Sequence, residues 1–147
     1  MRLTSYYFSD GGELPEQYTC HGQDENPALN FLEVPSNTES LALIMEDPDA
    51  LGADFVHWIL YNIPPTTREI KERSQPAGAT SGTNSEGHTG WISPCPPAGK
   101  PHHYKFTLYA LTKILDLSAG ADKLDLITAM SGSIIAQASL TGVYESK

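Results

Sequence analysis

Asp47, His57, His102 and Tyr104 are polar or ionisable side chains set against runs of apolar residues. In "LALIMEDPDALGADFVHWILYNIP", Leu41 to Pro64, one apolar run ends on Asp47 and the next opens with His57. In "SPCPPAGKPHHYKFTLYAL", His102 and Tyr104 open a third. A carboxylate or imidazole held away from water is costly unless a partner compensates it. Two imidazoles, a phenolic hydroxyl and a carboxylate that could orient them are convergent polar groups able to hold a ligand. The same carboxylate and imidazoles could act as a general base, which keeps a hydrolase as a rival reading.

Each residue also has an ordinary explanation. Asp-Pro-Asp is common turn chemistry. A lone strand histidine is more often a hydrogen-bonded core residue than a ligand, and His102-His103 could be strand-end polarity. What favours a site is that three separate strand ends show the same anomaly. Alternation puts Asp47 on the face of Leu41, Leu43 and Met45, His57 with Ile59, Tyr61 and Ile63, and His102 with Tyr104, Phe106 and Leu108. A rim carrying Asp, His, His and Tyr over an apolar core describes a concave site. His103 points the other way on this count.

The elements that must position these residues are mostly strands. Leu41 to Glu46 and Val56 to Ile63 are short apolar runs bounded by turn residues, as strands buried on both faces should be. His103 to Leu111 alternates, and Ala28 to Val34 is a weaker strand. Between them "SQPAGATSGTNSEGHTGWISPCPPAGK", Ser74 to Lys100, has neither period. A loop of that length is usually functional or disordered. Trp91, Ile92 and the prolines give this one something to bury, so it is expected to be ordered and to close one side of the cleft. One helix is expected after Asp122, with Leu124, Ile127, Met130 and Ile134 as its apolar row. "QASLTGVYE" returns as a last strand. The expected architecture is mostly β, two packed sheets with one helix late in the chain.

Composition limits the alternatives. A chain of 147 residues is expected to form a single domain, residues 1–147. The formal charge of −9, with scattered Lys and Arg, argues against nucleic-acid binding and against a polybasic membrane face. No apolar run is long enough to span a bilayer, and no apolar segment follows Arg2 to make a signal, so the cytoplasm is the expected location. Cys20 and Cys95 are the two cysteines. They can pair, but a reducing compartment favours two free thiols. No zinc-binding spacing, phosphate loop or nucleophile elbow occurs, so neither a metal nor a cofactor is expected. Cys20-His21 is weak as a metal pair, because adjacent strand residues face opposite ways.

Three ordered motifs give the sequence a family likeness. It resembles the phosphatidylethanolamine-binding protein family, which includes the Raf kinase inhibitor proteins, in its short bacterial and archaeal branch. "DPDAL" at Asp47 is similar to the family's Asp-Pro-Asp-x-Pro. "HWILYN" at His57 is similar to its second element, and "GKPHHYKFTLYAL" from Gly99 to its Gly-x-His-Arg-Tyr element. "SYYFSDGGELPEQYTCHGQDENPAL" and "AQASLTGVYE" resemble the branch's two ends. The resemblance implies a β-sandwich of antiparallel strands with an anion pocket at one end, lined by Asp47, His57, His102 and Tyr104, with Pro97 as a wall. It implies that Asp49 orders the loop and that Phe55 and Trp58 serve packing. Leu51 stands for the motif's Pro, Ser93 for a Gly, Trp91 for a Tyr and His103 for an Arg. The partners implied are a small anionic or phosphorylated ligand, with a protein partner or a second copy of the chain left open. The main reading is a non-enzymatic binding protein for a small anion, which histidines partly protonated near neutral pH and the Tyr104 hydroxyl suit. An inhibitor of a kinase or protease, working through surface loops, is the third reading.

Overall fold

The computed structural model describes residues 1–147 and consists of eight strands, one α-helix and a 3-10 turn at Glu16–Tyr18. In chain order the strands are β1 (Arg2–Thr4), β2 (Leu29–Leu32), β3 (Ser40–Asp47), β4 (Phe55–Ile63), β5 (Glu69–Ile70), β6 (Thr80–Ser81), β7 (His102–Leu111) and β8 (Ile134–Tyr144), with α1 (Lys123–Met130) before β8. They form a three-stranded sheet, β1-β2-β5, and a five-stranded sheet, β6-β4-β3-β7-β8. All pairings between the strands are antiparallel.

The two sheets pack on each other. Leu3, Leu29, Phe31 and Ile70 of the small sheet share one core with Leu41, Leu43, Met45, Leu60, Phe106 and Leu108 of the large one. On the outer face of the large sheet, Ala42, Ile44, Ile59 and Tyr61 are covered by Leu111, Leu115, Leu126 and Met130. β3 and β4 are thus buried on both faces, which is why their sequences read as near-continuous apolar runs. Each fully buried aliphatic or aromatic side chain here is worth about 1.5–3 kcal/mol relative to exposure.

The helix differs from its sequence pattern. Leu124 is 73% exposed and Ile127 40% exposed, while Leu126 and Met130 are buried at 0%. Leu126 and Met130 lie four apart on the face that meets the sheet, so the helix turns a different stripe inward. It also ends early. Gly132 adopts φ +78°, which stops the helix and frees Ile134 to open β8. The start is as expected: Asp122 Oδ1 accepts from the Asp125 N–H at 2.8 Å, and Asp125 Oδ2 from the Asp122 N–H at 3.3 Å. Asp122→Ala should lower stability by about 1 kcal/mol, read from urea unfolding midpoints.

The long loop is pinned along β4. β6 pairs with Leu60 and Tyr61. The Val56 N–H donates to Ser85 Oγ at 2.7 Å, and the Ser85 N–H donates back to the Val56 carbonyl at 2.9 Å. The Ile92 N–H reaches the His57 carbonyl at 3.0 Å. The loop packs as its apolar residues require, and it forms one side of the cavity described below.

The cysteines correct the expectation of free thiols. Cys20 and Cys95 are joined in a disulfide, with Cα atoms 5.4 Å apart at a sequence separation of 75. The 3-10 turn and the tight turn after it carry Cys20 to the long loop, where its N–H donates to the Pro94 carbonyl at 3.0 Å. Gly22 permits that turn, because a Cβ there would lie 2.2 Å from the Glu16 carbonyl oxygen. A bridge closing a loop this long typically adds about 2–4 kcal/mol of stability.

Candidate functional site

The C-terminal end of β3 lies beside the N-terminal ends of its two antiparallel neighbours, β4 and β7. Asp47, His57, His102 and Tyr104 therefore meet at one end of the large sheet. All four line a cavity of about 420 Å³, together with Pro97 from the long loop.

His57 arrives there by a route that alternation does not give. Met45 pairs with Trp58 and Glu46 with Val56, so His57 is an extra residue without a partner on β3. A β-bulge at this point re-aims the side chain. Val56 and Ile59 pack on the outer face and Trp58 in the inter-sheet core, while His57 turns into the cavity. The expected row of His57, Ile59, Tyr61 and Ile63 on one face is therefore wrong. A second irregularity, where Asn62 adopts φ +51°, moves Ile63 to the inter-sheet core as well.

Each imidazole is anchored through Nδ1. His102 Nδ1 lies 2.6 Å from Asp47 Oδ2, and both side chains are buried. Asp47 Oδ1 accepts from the Asp49 N–H at 2.8 Å. His57 Nδ1 lies 2.8 Å from the Ile92 carbonyl oxygen. A carboxylate and a carbonyl only accept, so both Nδ1 atoms carry the proton, and both Nε2 atoms are left unbonded within the protein. Burial lowers the His57 pKa below its ordinary value, partly offset by the Ile92 carbonyl and by Asp47 and Glu86. Burial, with Asp47 and Asp49 nearby, raises that of Tyr104 and keeps its hydroxyl a donor. The His57 ring stands edge-on to Tyr104, with centroids 5.4 Å apart.

Several contributors escaped the sequence reading. Phe55, expected to serve packing alone, tilts over His57 with centroids 4.7 Å apart and lines the cavity. Ile92, Pro96, Glu86 and Lys100 also line it. Asp49 does order its loop: it accepts from the His103 N–H at 2.8 Å and faces the His103 ring nitrogen at 2.7 Å. These hydrogen bonds lower its pKa. It reaches the cavity lining too, so His103, though outward-facing, is not detached from the site. The cavity thus holds three carboxylates, Asp47, Asp49 and Glu86, rather than one, against Lys100 and two imidazoles.

The substituted motif positions fall as follows. Leu51 is 98% exposed at the cavity mouth, and Ser93 is buried in its wall. Trp91 turns away and packs edge-on against Trp58 in the core, so no hydroxyl is missing from the cavity there. Trp58 is a core residue, as expected. Elsewhere, ligand atoms of Cys20, His21 and Cys95 lie within 4.8 Å of one another. Cys20 and His21 sit in a turn rather than a strand, so they do not face opposite ways. With the sulfurs bonded to each other, no thiolate is available to coordinate.

This is a two-sheet antiparallel protein with an Asp/His/Tyr cavity at one end of its larger sheet. The sequence model described as phosphatidylethanolamine-binding protein matches residues 4–145. The chain belongs to that family. A phosphatidylethanolamine-binding protein homologue of Chlamydia trachomatis superimposes with a TM-score of 0.95 at 40% identity, covering 99% of this chain and 97% of the other. The Escherichia coli protein YbcL gives 0.91 at 32%, covering 99% and 98%. A UPF0098 protein of Methanothermobacter thermautotrophicus is 42% identical over 98% of each chain.

Proposed function

We propose that the chain is a non-enzymatic binding protein whose cavity takes a small anion, either phosphate or the phosphate of a phosphorylated headgroup. The observation that carries this reading is the shared anchoring of both imidazoles by Nδ1. It leaves two Nε2 atoms and the Tyr104 hydroxyl as the inner polar groups of the cavity. When protonated, each Nε2 becomes a charged donor, and charge-assisted hydrogen bonds to phosphate oxygens are the strong kind. Lys100 adds a fixed positive charge at the wall.

The carboxylates shape the reading. Asp47 and Asp49 are each committed to a histidine and a backbone N–H, which leaves Glu86 free at the exposed rim. A zwitterion, with its phosphate inside and an ammonium toward Glu86, fits this arrangement better than a bare dianion. The apolar mouth formed by Leu51, Phe55 and Pro97 accepts an organic substituent on the phosphate. The family's name, phosphatidylethanolamine-binding protein, fits such a ligand.

Amide and side-chain NMR during titration with phosphate and phosphoethanolamine tests the reading. Shifts should concentrate at His57, His102, Tyr104 and Lys100, and phosphoethanolamine should bind more tightly than phosphate. Absence of saturable shifts at these residues would sink it.

The Asp47–His102 pair supports the hydrolase as a second reading, since it is the base-and-orienter half of a catalytic triad. Ser93 lines the cavity, but its hydroxyl makes no hydrogen bond to either imidazole. Turnover of a phosphomonoester that is abolished by His102→Ala would favour the enzyme.

A further inference from the structure

We propose that the Cys20–Cys95 disulfide is a reducible tether for the cavity wall, so that its thiol–disulfide state sets how tightly the site holds a small anion. The inference rests on the anion-binding reading of the cavity and adds a control to it.

The wall in question is the segment from Cys95 to Pro101. Cys95, Pro96, Pro97 and Lys100 line the cavity. No backbone or side-chain hydrogen bond joins any residue of this segment to the rest of the chain, and Lys100 makes no ion pair. The neighbouring stretches of the same loop are held quite differently, through Ser85, Ile92 and the Pro94 carbonyl. Between Pro94 and the start of β7, the disulfide is the one specific cross-link.

The other end of the tether is firm. The Thr19 N–H and hydroxyl both donate to the Glu16 carbonyl, at 3.0 and 2.8 Å. The Gly22 N–H donates to the Thr19 carbonyl, and the Gln23 N–H to the Gln17 carbonyl. Cys20 is therefore part of a hydrogen-bonded turn outside the cavity, and Cys95 hangs from it. Both cysteines are exposed, so a reductant can reach them.

Once the bond is cut, the remaining constraints are Pro94 and the buried Pro96 at one end and β7 at the other. Gly99, at φ +94°, provides a hinge inside the segment, while Pro96 and Pro97 keep its first half stiff. The wall then samples positions in which Lys100 and Pro97 no longer face His57 and His102. A ligand that needs the closed wall binds more weakly by the fraction of time the wall is closed.

Reduction by a dithiol balances directly. One dithiol thiolate attacks a cysteine sulfur, the S–S bond breaks, and the second thiol of the reagent resolves the mixed disulfide. Two electrons and two protons pass to Cys20 and Cys95, and the dithiol leaves as its own disulfide.

The test uses inorganic phosphate at pH 6, with a chelator present so that the freed thiols hold no metal. Affinity is measured for oxidised wild type, dithiol-reduced wild type, Cys20→Ser and Cys20→Ala. Each value is normalised to the folded fraction seen in the amide spectrum. Cys20 does not line the cavity, so a substitution there acts on binding only through the wall. Reduced protein and both variants should bind about tenfold more weakly than oxidised wild type, as expected if the wall is closed about a tenth of the time. Backbone order parameters of Ala98, Gly99 and Lys100 should fall below about 0.6 on reduction, while β3 and β7 stay rigid. Equal phosphate affinity in the two redox states of the folded protein overturns the proposal. So do unchanged order parameters. If oxidised protein binds no phosphate, the anion reading fails by itself, and the proposed control of affinity fails with it.

Discussion

Asp47→Ala should cost about 3 kcal/mol of stability and most of the anion affinity, because it strips the buried His102 ring and the half-buried Asp49 N–H of their acceptor. The Asp47 carboxylate takes the His102 Nδ1–H on one oxygen and the Asp49 N–H on the other. Without it, His102 keeps a buried Nδ1–H with no partner, and the loop after β3 loses its first turn contact. Asp47→Asn separates these roles. The amide oxygen can still accept from the Asp49 N–H, and the amide nitrogen can donate to His102 Nδ1. His102 must then move its proton to Nε2, which presents a neutral donor to the cavity. Stability should return to within about 1 kcal/mol of wild type, while sulfate affinity should stay below that of wild type. Chemical denaturation and calorimetry decide it. Equal destabilisation by Ala and Asn would mean that Asp47 matters as a charge rather than as an oriented acceptor.

The sequence carried the strands and the four inner residues because local physics dictates them. A carboxylate or imidazole at the end of an apolar strand is a visible violation, and antiparallel pairing brings such strand ends together. The bulge at His57 left no such trace. Val56 to Ile59 is uniformly apolar apart from the histidine, since both sheet faces are buried, so no alternation existed to break. The error in face and the correct convergence of the four residues therefore have the same cause. α1 misled through its exposed Leu124 and Ile127, which mimic a core stripe, while Leu126 carries the contact. Phe55, Glu86 and Lys100 were illegible because the bulge and the loop path set their positions, and neither has a sequence period. The cysteine pair was similar: a sequence separation of 75 says nothing about a Cα separation of 5.4 Å.

Sulfate affinity should rise as pH falls, by up to about tenfold per pH unit for each proton taken up, and the steepest part should lie below pH 6.5. Burial pulls the His57 pKa below the ordinary imidazole value of about 6.5. In the unfolded chain that ordinary value applies. As pH falls from about 6.5 toward the folded value, the unfolded chain binds a proton that the folded one resists. The free protein's stability from His57 is therefore complete above about pH 6.5 and declines below it. A bound dianion reverses the preference, since it favours the charged ring and draws the proton in. Sulfate is the useful probe because it does not itself titrate in this range, whereas a phosphomonoester gains a proton near pH 6. Asp49 adds no slope, because its hydrogen bonds to His103 hold its carboxyl below the usual range. His57→Gln should flatten the profile while keeping a neutral donor at the bulge. His102→Ala should weaken binding at all pH values and flatten the profile further. His103→Ala should change affinity far less, since its ring reaches the site only through Asp49. Sulfate should also protect the folded state against acid more strongly at pH 5 than at pH 7, read as a larger shift in Tm. A flat profile in the wild type, or equal losses from His102→Ala and His103→Ala, would show that the imidazoles do not take up protons on binding.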